Sequence, residues 1–181
     1  MMWKKFLPND FVPSVRDISP EYLKKREIQG IITDLDNTLV EWDRPLATPD
    51  VRSWMENMKA HGIRVVIVSN NSKKRVFAFA DPLNVPFVCR AKKPLGKSFR
   101  KALEILDLPK EKVAVVGDQL LTDIYGGNRS GFFTILVVPV AQSDGFMTKI
   151  NRMIERKLFR WFEKKGLFPW KEGVRGKSVD L

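Results

Sequence analysis

Gly30-Ile-Ile-Thr-Asp34-Leu-Asp36-Asn-Thr38 sets a short apolar run directly against two carboxylates and a hydroxyl. Such a run ending in acid reads as a buried strand that delivers polar groups at its carboxyl end. The pattern returns along the chain. Val65-Val-Ile-Val68 runs into Ser69-Asn70-Asn71, and Val113-Ala-Val-Val116 runs into Gly117-Asp118. Two further runs, Val85 to Val88 and Phe133 to Val138, complete the set. Helical spacings lie between them. Val51, Trp54, Met55 and Met58 share a face within Pro49 to Ala60, and Lys73 to Asp81 precedes Pro82. Phe99, Ala102, Leu103 and Leu106 mark another helix, and Leu121 to Ser130 a short one. Five alternations predict an α/β fold: a Rossmann-like, doubly wound, parallel five-stranded sheet with helices on both faces. Such sheets bind ligands beyond the carboxyl ends of their strands, so the polar strand ends are the candidate functional residues.

Composition agrees with one domain. The 181 residues are 44% hydrophobic with 11 Gly and 11 Pro, which excludes collagenous, low-complexity and wholly disordered classes. A single Cys89 excludes an internal disulfide, and with one His61 no Cys/His zinc cluster can form. The start of the chain, with Lys4, Lys5, Asp10 and two prolines before residue 15, lacks the apolar core of a signal peptide. Phe132 to Ala141, the longest apolar stretch, is too short to span a bilayer. A cytoplasmic location is expected, with attachment to the inner face of the cell membrane.

The net charge of +11 is unevenly spread. Residues 1–30 hold six bases and four acids, residues 31–144 hold 16 and 13, and residues 145–181 hold ten and four. The surplus therefore lies in the tail. There Ile150, Met153, Ile154, Leu158, Trp161 and Phe162 form an apolar stripe, with Lys149, Arg152, Arg156, Lys157 and Arg160 on other faces. A basic amphipathic helix of this kind either binds an anionic membrane surface or packs its stripe on the sheet. Both readings hold together if Phe159, Leu167 and Trp170 stay outside.

Asp34, Asp36, Asp118 and Asp123 would repel at one sheet edge without a cation or a lysine, and Lys92-Lys93-Pro94 offers the lysine. Taken singly, Ser69 could simply cap the next helix, and Asp123 could be a surface carboxylate at a helix start.

These motifs, in this order and spacing, resemble the haloacid dehalogenase superfamily over roughly Gly30 to Val138. The resemblance implies a phosphatase in which Asp34 is the nucleophile that forms an aspartyl-phosphate. It makes Asp36 the general acid and base, oriented by Thr38. Ser69, Asn70 and Lys93 would bind the transferring phosphoryl group, Lys93 fitting the Lys-Pro pattern better than Lys92. Asp34, Asp118 and the Asp36 carbonyl would hold Mg²⁺, supported by Asp123.

In that superfamily a cap domain follows the first or second motif. Only 32 residues separate Asp36 from Ser69, and 23 separate Ser69 from Lys93, so no cap fits and the site should be open. The whole pattern, with Phe6-Leu-Pro-Asn-Asp-Phe11 ahead of it, is similar to the subclass IIIA, YqeG-type phosphatases. That similarity implies removal of the terminal phosphate of phosphatidylglycerophosphate, with a phospholipid substrate and an anionic membrane as partners and no specific nucleic acid. The alternatives are a phosphatase of polynucleotide ends or phosphoproteins, and a non-catalytic binding module on the same fold. The expected organisation is an N-terminal segment (1–29) packed on a core (30–142), then the basic helix and aromatic turn (143–170) and a flexible tail (171–181).

Overall fold

Six parallel strands form one sheet in the order β1-β6-β5-β2-β3-β4. They are β1 (Asp10–Val12), β2 (Gly30–Thr33), β3 (Arg64–Val68), β4 (Phe87–Val88), β5 (Val113–Gly117) and β6 (Phe133–Val137). The computed structural model describes residues 2–141 and 146–167, with side chains placed except at residues 2 and 146–152. From β2 the chain winds outward through β3 and β4, then returns to β5 and winds the other way through β6. The winding reverses between β2 and β5. A crevice opens at such a reversal beyond the carboxyl ends of the strands. Thr33 pairs with Ile67 on one side and Val116 on the other, so β2, β3 and β5 release their following loops at one level.

Alternation along each strand sorts the core into two layers. Ile31, Ile67, Ala114, Val116 and Ile135 face α2 (Pro49–Ala60) and α3 (Lys73–Ala80) through Val51, Trp54, Met58, Val76 and Phe79. Ile32, Val66, Val68 and Val115 face the opposite way, onto Phe99, Ala102 and Leu106 of α4 (Gly96–Leu106). The helices start where local chemistry directs. Thr48 accepts the Val51 amide ahead of Pro49 at the first helical position, and Ser72 accepts the Arg75 amide. The short α1 (Pro20–Lys24) begins in the same way at Ser19 and Pro20.

The expected parallel, doubly wound sheet is present, with one strand more than the five read from the sequence. The addition is β1, three residues paired in parallel with Ile135–Val137 at the edge. Of the stretch Val85 to Val88 only Phe87 and Val88 are strand. The helix read over Leu121 to Ser130 divides into a π turn, Leu120–Ile124, and α5, Tyr125–Ser130.

The C-terminal helix α6 (Phe146–Lys164) packs on the protein with part of its stripe. Phe159 and Phe162 are buried with Phe11, Leu120, Ile124 and Leu136, and Leu158 and Leu167 lean on this cluster. Phe159 therefore does not remain outside: it is buried in the cluster that includes Leu136 of β6 and Leu120 and Ile124 of the turn after β5. Trp161 stays partly exposed, edge-on to Trp3 with ring centroids 5.7 Å apart. Trp170 and residues 171–181 lie outside the described residues, as do the side chains of Lys149, Ile150 and Arg152. Among the described residues no helix is long and apolar enough to cross a membrane.

Candidate active site

Four strand ends meet at the reversal point. Asp34, Asp36 and Thr38 follow β2, Ser69 to Asn71 follow β3, Lys93 lies beyond β4, and Asp118 and Asp123 lie beyond β5. Lys93 binds them together. Its Nζ donates to Asp34 Oδ1 at 2.6 Å and to Asp123 Oδ1 at 2.7 Å, with all three side chains buried. Lys92, at φ 54°, turns its side chain to solvent, so Lys93 is the lysine of the site. Asp118 completes the group: one carboxylate oxygen from each of Asp34, Asp118 and Asp123 lies within 4.8 Å of the others.

The electrostatics follow from burial. Loss of water pushes the Asp34 carboxyl up; Lys93 opposes the shift and Asp36 adds to it. Burial likewise pushes Asp123 up, to about 7, with Lys93 opposing and the neighbouring Asp34 and Asp118 charges reinforcing. For Lys93 burial acts against the charged form, yet Asp123 and Asp34 outweigh it and hold its pKa above the ordinary lysine value. The lysine thus stays protonated among carboxylates that gather more negative charge than it cancels.

The other strand-end groups hold these in place. Asn70 Oδ1 accepts the Lys93 amide at 2.7 Å, and its Nδ2 donates to the Lys93 carbonyl at 3.4 Å. Ser69 is buried, and its Oγ accepts the Asn71 amide at 3.1 Å. Thr38, expected to orient Asp36, instead donates its hydroxyl to Asp118 Oδ1 at 2.8 Å. The turn after Leu35 points Thr38 inward toward β5, while Asp36 faces the rim. There Asp36 takes Arg75 Nε on Oδ1 at 3.1 Å and Asn71 Nδ2 on Oδ2 at 3.0 Å.

The profile of the haloacid dehalogenase-like hydrolases matches residues 19–131 of the chain. The chain belongs to that family. This hydrolase is 56% identical over 172 residues to the probable phosphatase YqeG of Bacillus subtilis, spanning 95% of the one chain and 100% of the other. It is 29% identical over 174 residues to phosphatidylglycerophosphate phosphatase 1, chloroplastic/mitochondrial, of Arabidopsis thaliana. That match takes in 90% of this hydrolase and 50% of the plant protein, so the chain spans about half of that relative's length. In fold it is similar to 3-deoxy-D-manno-octulosonate 8-phosphate phosphatase of Moraxella catarrhalis, crystallised with a magnesium ion, phosphate and sugar. The TM-score is 0.53 at 15% identity, over 80% of this chain and 97% of that one.

The residues of the hydrolase fit a divalent cation. Three buried carboxylates face one ammonium, and oxygen donors at this spacing suit a hard ion. Asp123 is one of the three and is 1% exposed, which removes its reading as a surface carboxylate.

Sequence reasoning missed Arg75. It reaches Asp36 and also donates to the carbonyls of Pro45, at 3.3 Å, and Glu41, at 3.5 Å. A signal existed: Lys73-Lys74-Arg75 places three bases, and no acid, in the first turn of α3. Bases there oppose the helix dipole, so a nearby carboxylate is expected to draw them.

Two clefts of about 530 and 720 Å³ open at the amino-terminal end of the sheet, lined by residues such as Glu21 and Lys112, and Arg52 and Asn84. None of the strand-end residues lines either one.

Proposed function

We propose that this hydrolase is a Mg²⁺-dependent phosphomonoester hydrolase that converts phosphatidylglycerophosphate to phosphatidylglycerol at the inner face of the cell membrane. The observation that carries the reading is the Lys93 bridge between Asp34 and Asp123 beside Asp118. It combines a nucleophilic carboxylate, a fixed ammonium and a dication-sized set of oxygens at one point. The lipid substrate is carried over from the plant relative's name and from the uncapped mouth.

In this reading Asp34, Asp118 and the Asp36 carbonyl, supported by Asp123, would hold Mg²⁺, which when bound would offset charge on the phosphoryl oxygens and on the attacking carboxylate. Asp34 attacks phosphorus, and the bond from phosphorus to the glycerol oxygen breaks. Asp36 gives its proton to that leaving oxygen. It then takes a proton from the water that attacks the aspartyl-phosphate, releasing phosphate and restoring Asp34. Its place suits the task, since 20% of its side chain is exposed where Asp34 and Asp123 are buried. Lys93, fixed through its backbone by Asn70, keeps Asp34 aimed and neutralises the incoming phosphate. Ser69 adds a hydroxyl for a phosphoryl oxygen.

The test is phosphate release from phosphatidylglycerophosphate in mixed micelles with Mg²⁺. Wild type should turn it over and prefer it to soluble hexose phosphates, and Asp34→Asn should be inactive. Wild type that leaves the lipid intact while cleaving soluble esters ends the lipid reading; an active Asp34→Asn ends the nucleophile assignment.

A further inference from the structure

Among the described residues, exposed apolar side chains stand around the polar mouth. Through residue 141 the large hydrophobics left exposed are Trp42, Leu46, Phe77, Leu95, Ile105 and Val140. Four of these six, Trp42, Leu46, Leu95 and Val140, lie in the loops that follow β2, β4 and β6 at the carboxyl edge. Each is tied to the site. Trp42 and Leu46 belong to the loop leaving the Asp36–Val40 bridge, which Arg75 fastens to Asp36 through the Glu41 and Pro45 carbonyls. The Val140 amide donates to the carbonyl of Asn37, between Asp36 and Thr38, at 2.8 Å. Leu95 lies two residues beyond Lys93, its amide on the Lys92 carbonyl at 3.0 Å.

Charge supplies the second observation. Arg44, Lys73, Lys74, Arg90, Lys92 and Lys97 are exposed on the loops and helix starts of this same edge, against Asp43, Glu41, which pairs with Arg44, and Asp50, which pairs with Arg16. Lys93 and Arg75 offset two of the four catalytic carboxylates, and a bound divalent cation would offset the other two. Bases set between protruding Trp and Leu side chains match an anionic bilayer, where Trp settles at headgroup depth and Lys and Arg meet phosphates. On α6 Phe159 and Phe162 are buried against the sheet, while Met153, Ile154 and Trp161 are exposed on the helix and not in the rim loops.

We propose that the carboxyl-edge rim is the lipid-docking surface. Trp42, Leu46, Leu95 and Val140 enter the headgroup layer of an anionic leaflet, and the basic ring pairs with its phosphates. This rests on the lipid-phosphatase reading and deepens it by naming the surface through which the open site meets its substrate. Docking this way presents a headgroup phosphate to Lys93 without extracting the lipid.

The experiment is co-sedimentation of the full chain with vesicles of phosphatidylglycerol and phosphatidylcholine, and with phosphatidylcholine alone. Wild type should sediment with the anionic vesicles, and Trp42→Ser/Leu46→Ser should bind them at least tenfold more weakly with an unchanged melting temperature. A direct measure of depth uses the conservative Trp42→Phe, which should keep binding but lose most of the quenching of tryptophan fluorescence by brominated lipids. The proposal is overturned if the Ser double variant sediments like wild type, or if Trp42→Phe leaves quenching intact. It is equally overturned if binding is lost through Arg156→Glu/Lys157→Glu on α6 while the loop double variant binds normally. Phosphate release plays no part in these readouts, so a failed docking surface and a failed lipid substrate give separate results.

Discussion

Alanine at Gly117 probes how closely Asp123 is set within the group of carboxylates proposed to hold the metal. Gly117 ends β5 with its α-carbon against Asp123, and a β-carbon there would stand about 1 Å inside the 3.4 Å at which ordinary contact with the Asp123 side chain begins. Asp123 has little freedom to yield. Oδ1 lies 2.7 Å from Lys93 Nζ, Oδ2 accepts the Gln119 amide at 3.2 Å, and the Asp123 amide donates back to the Gln119 carbonyl at 3.1 Å. Moving the carboxylate by about 1 Å carries the lysine contact beyond hydrogen-bond range. Two costs follow. Overpacking destabilises the fold by about 1–3 kcal/mol. Loss of an oriented carboxylate weakens metal binding by about 10–100-fold. The assay titrates Mg²⁺ against hydrolysis of p-nitrophenyl phosphate, alongside thermal unfolding with and without the ion. Gly117→Ala should raise the half-saturating Mg²⁺ concentration about tenfold or more and shrink the stabilisation by Mg²⁺. Gly127→Ala provides the comparison, because its β-carbon meets Thr134 and Val115, not a site carboxylate. If Gly117→Ala loses stability as Gly127→Ala does but keeps its Mg²⁺ requirement, Gly117 does not govern the placement of Asp123.

Three other perturbations probe different parts of the molecule. Arg75→Met leaves Asp36 to Asn71 alone, and since misplacing a reacting group by about 1 Å costs roughly 10²-fold, kcat should fall on that scale with KM for a small ester nearly constant. A raised KM at unchanged kcat would count against Arg75 as a positioning residue. Tyr22 donates its hydroxyl to Asp10 at 2.7 Å, and burial first, then Asp10, raises its pKa above the ordinary 10.0. The folded chain keeps a proton that the unfolded chain releases near that value, so this stability is intact below it and fades as pH rises beyond. Tyr22→Phe should therefore flatten the alkaline fall in unfolding free energy, and an unchanged slope refutes the assignment. Phe162 of α6 is fully buried against the sheet, and Phe162→Ala should cost about 3–5 kcal/mol in urea unfolding. A loss below about 1 kcal/mol would mean that α6 docks by other contacts.

The parts legible in the sequence were those encoded locally. β3 and β5 announce themselves as uninterrupted apolar runs because both faces are covered, and the strand-end motifs stand at fixed distances from those runs. β1 carried no such signal. Asp10-Phe-Val12 is too short and begins with a carboxylate, whose cost of burial is met by Tyr22 and Arg26, residues a dozen or more positions away. Thr38 was assigned to Asp36 by its position in the motif, but the hydroxyl follows the turn toward Asp118, 80 residues on. Phe159 lay off the stripe drawn from helical spacing. Only the shape of the surface around Leu136 and Leu120 shows that the buried face of α6 is wide enough to include it. Arg75 needed the same three-dimensional information, since its partners Asp36, Glu41 and Pro45 lie in the connection between β2 and α2, across the sheet edge from α3.

The two bonds between the Asn70 side chain and the Lys93 backbone carry a consequence for the edge of the sheet. β4 has only two residues and stops short of Lys93. The Asn70 amide accepts the Lys93 N–H and donates to its carbonyl, the same exchange that a neighbouring strand would make. One side chain thus stands in for a missing rung of the ladder. The ammonium is thereby referenced to the end of β3, continuing the pairing by which the Arg90 amide donates to the Asn71 carbonyl and the Ala91 amide to the Ser69 carbonyl. Asn70→Asp would keep the acceptor and lose the donor, leaving the rung half made.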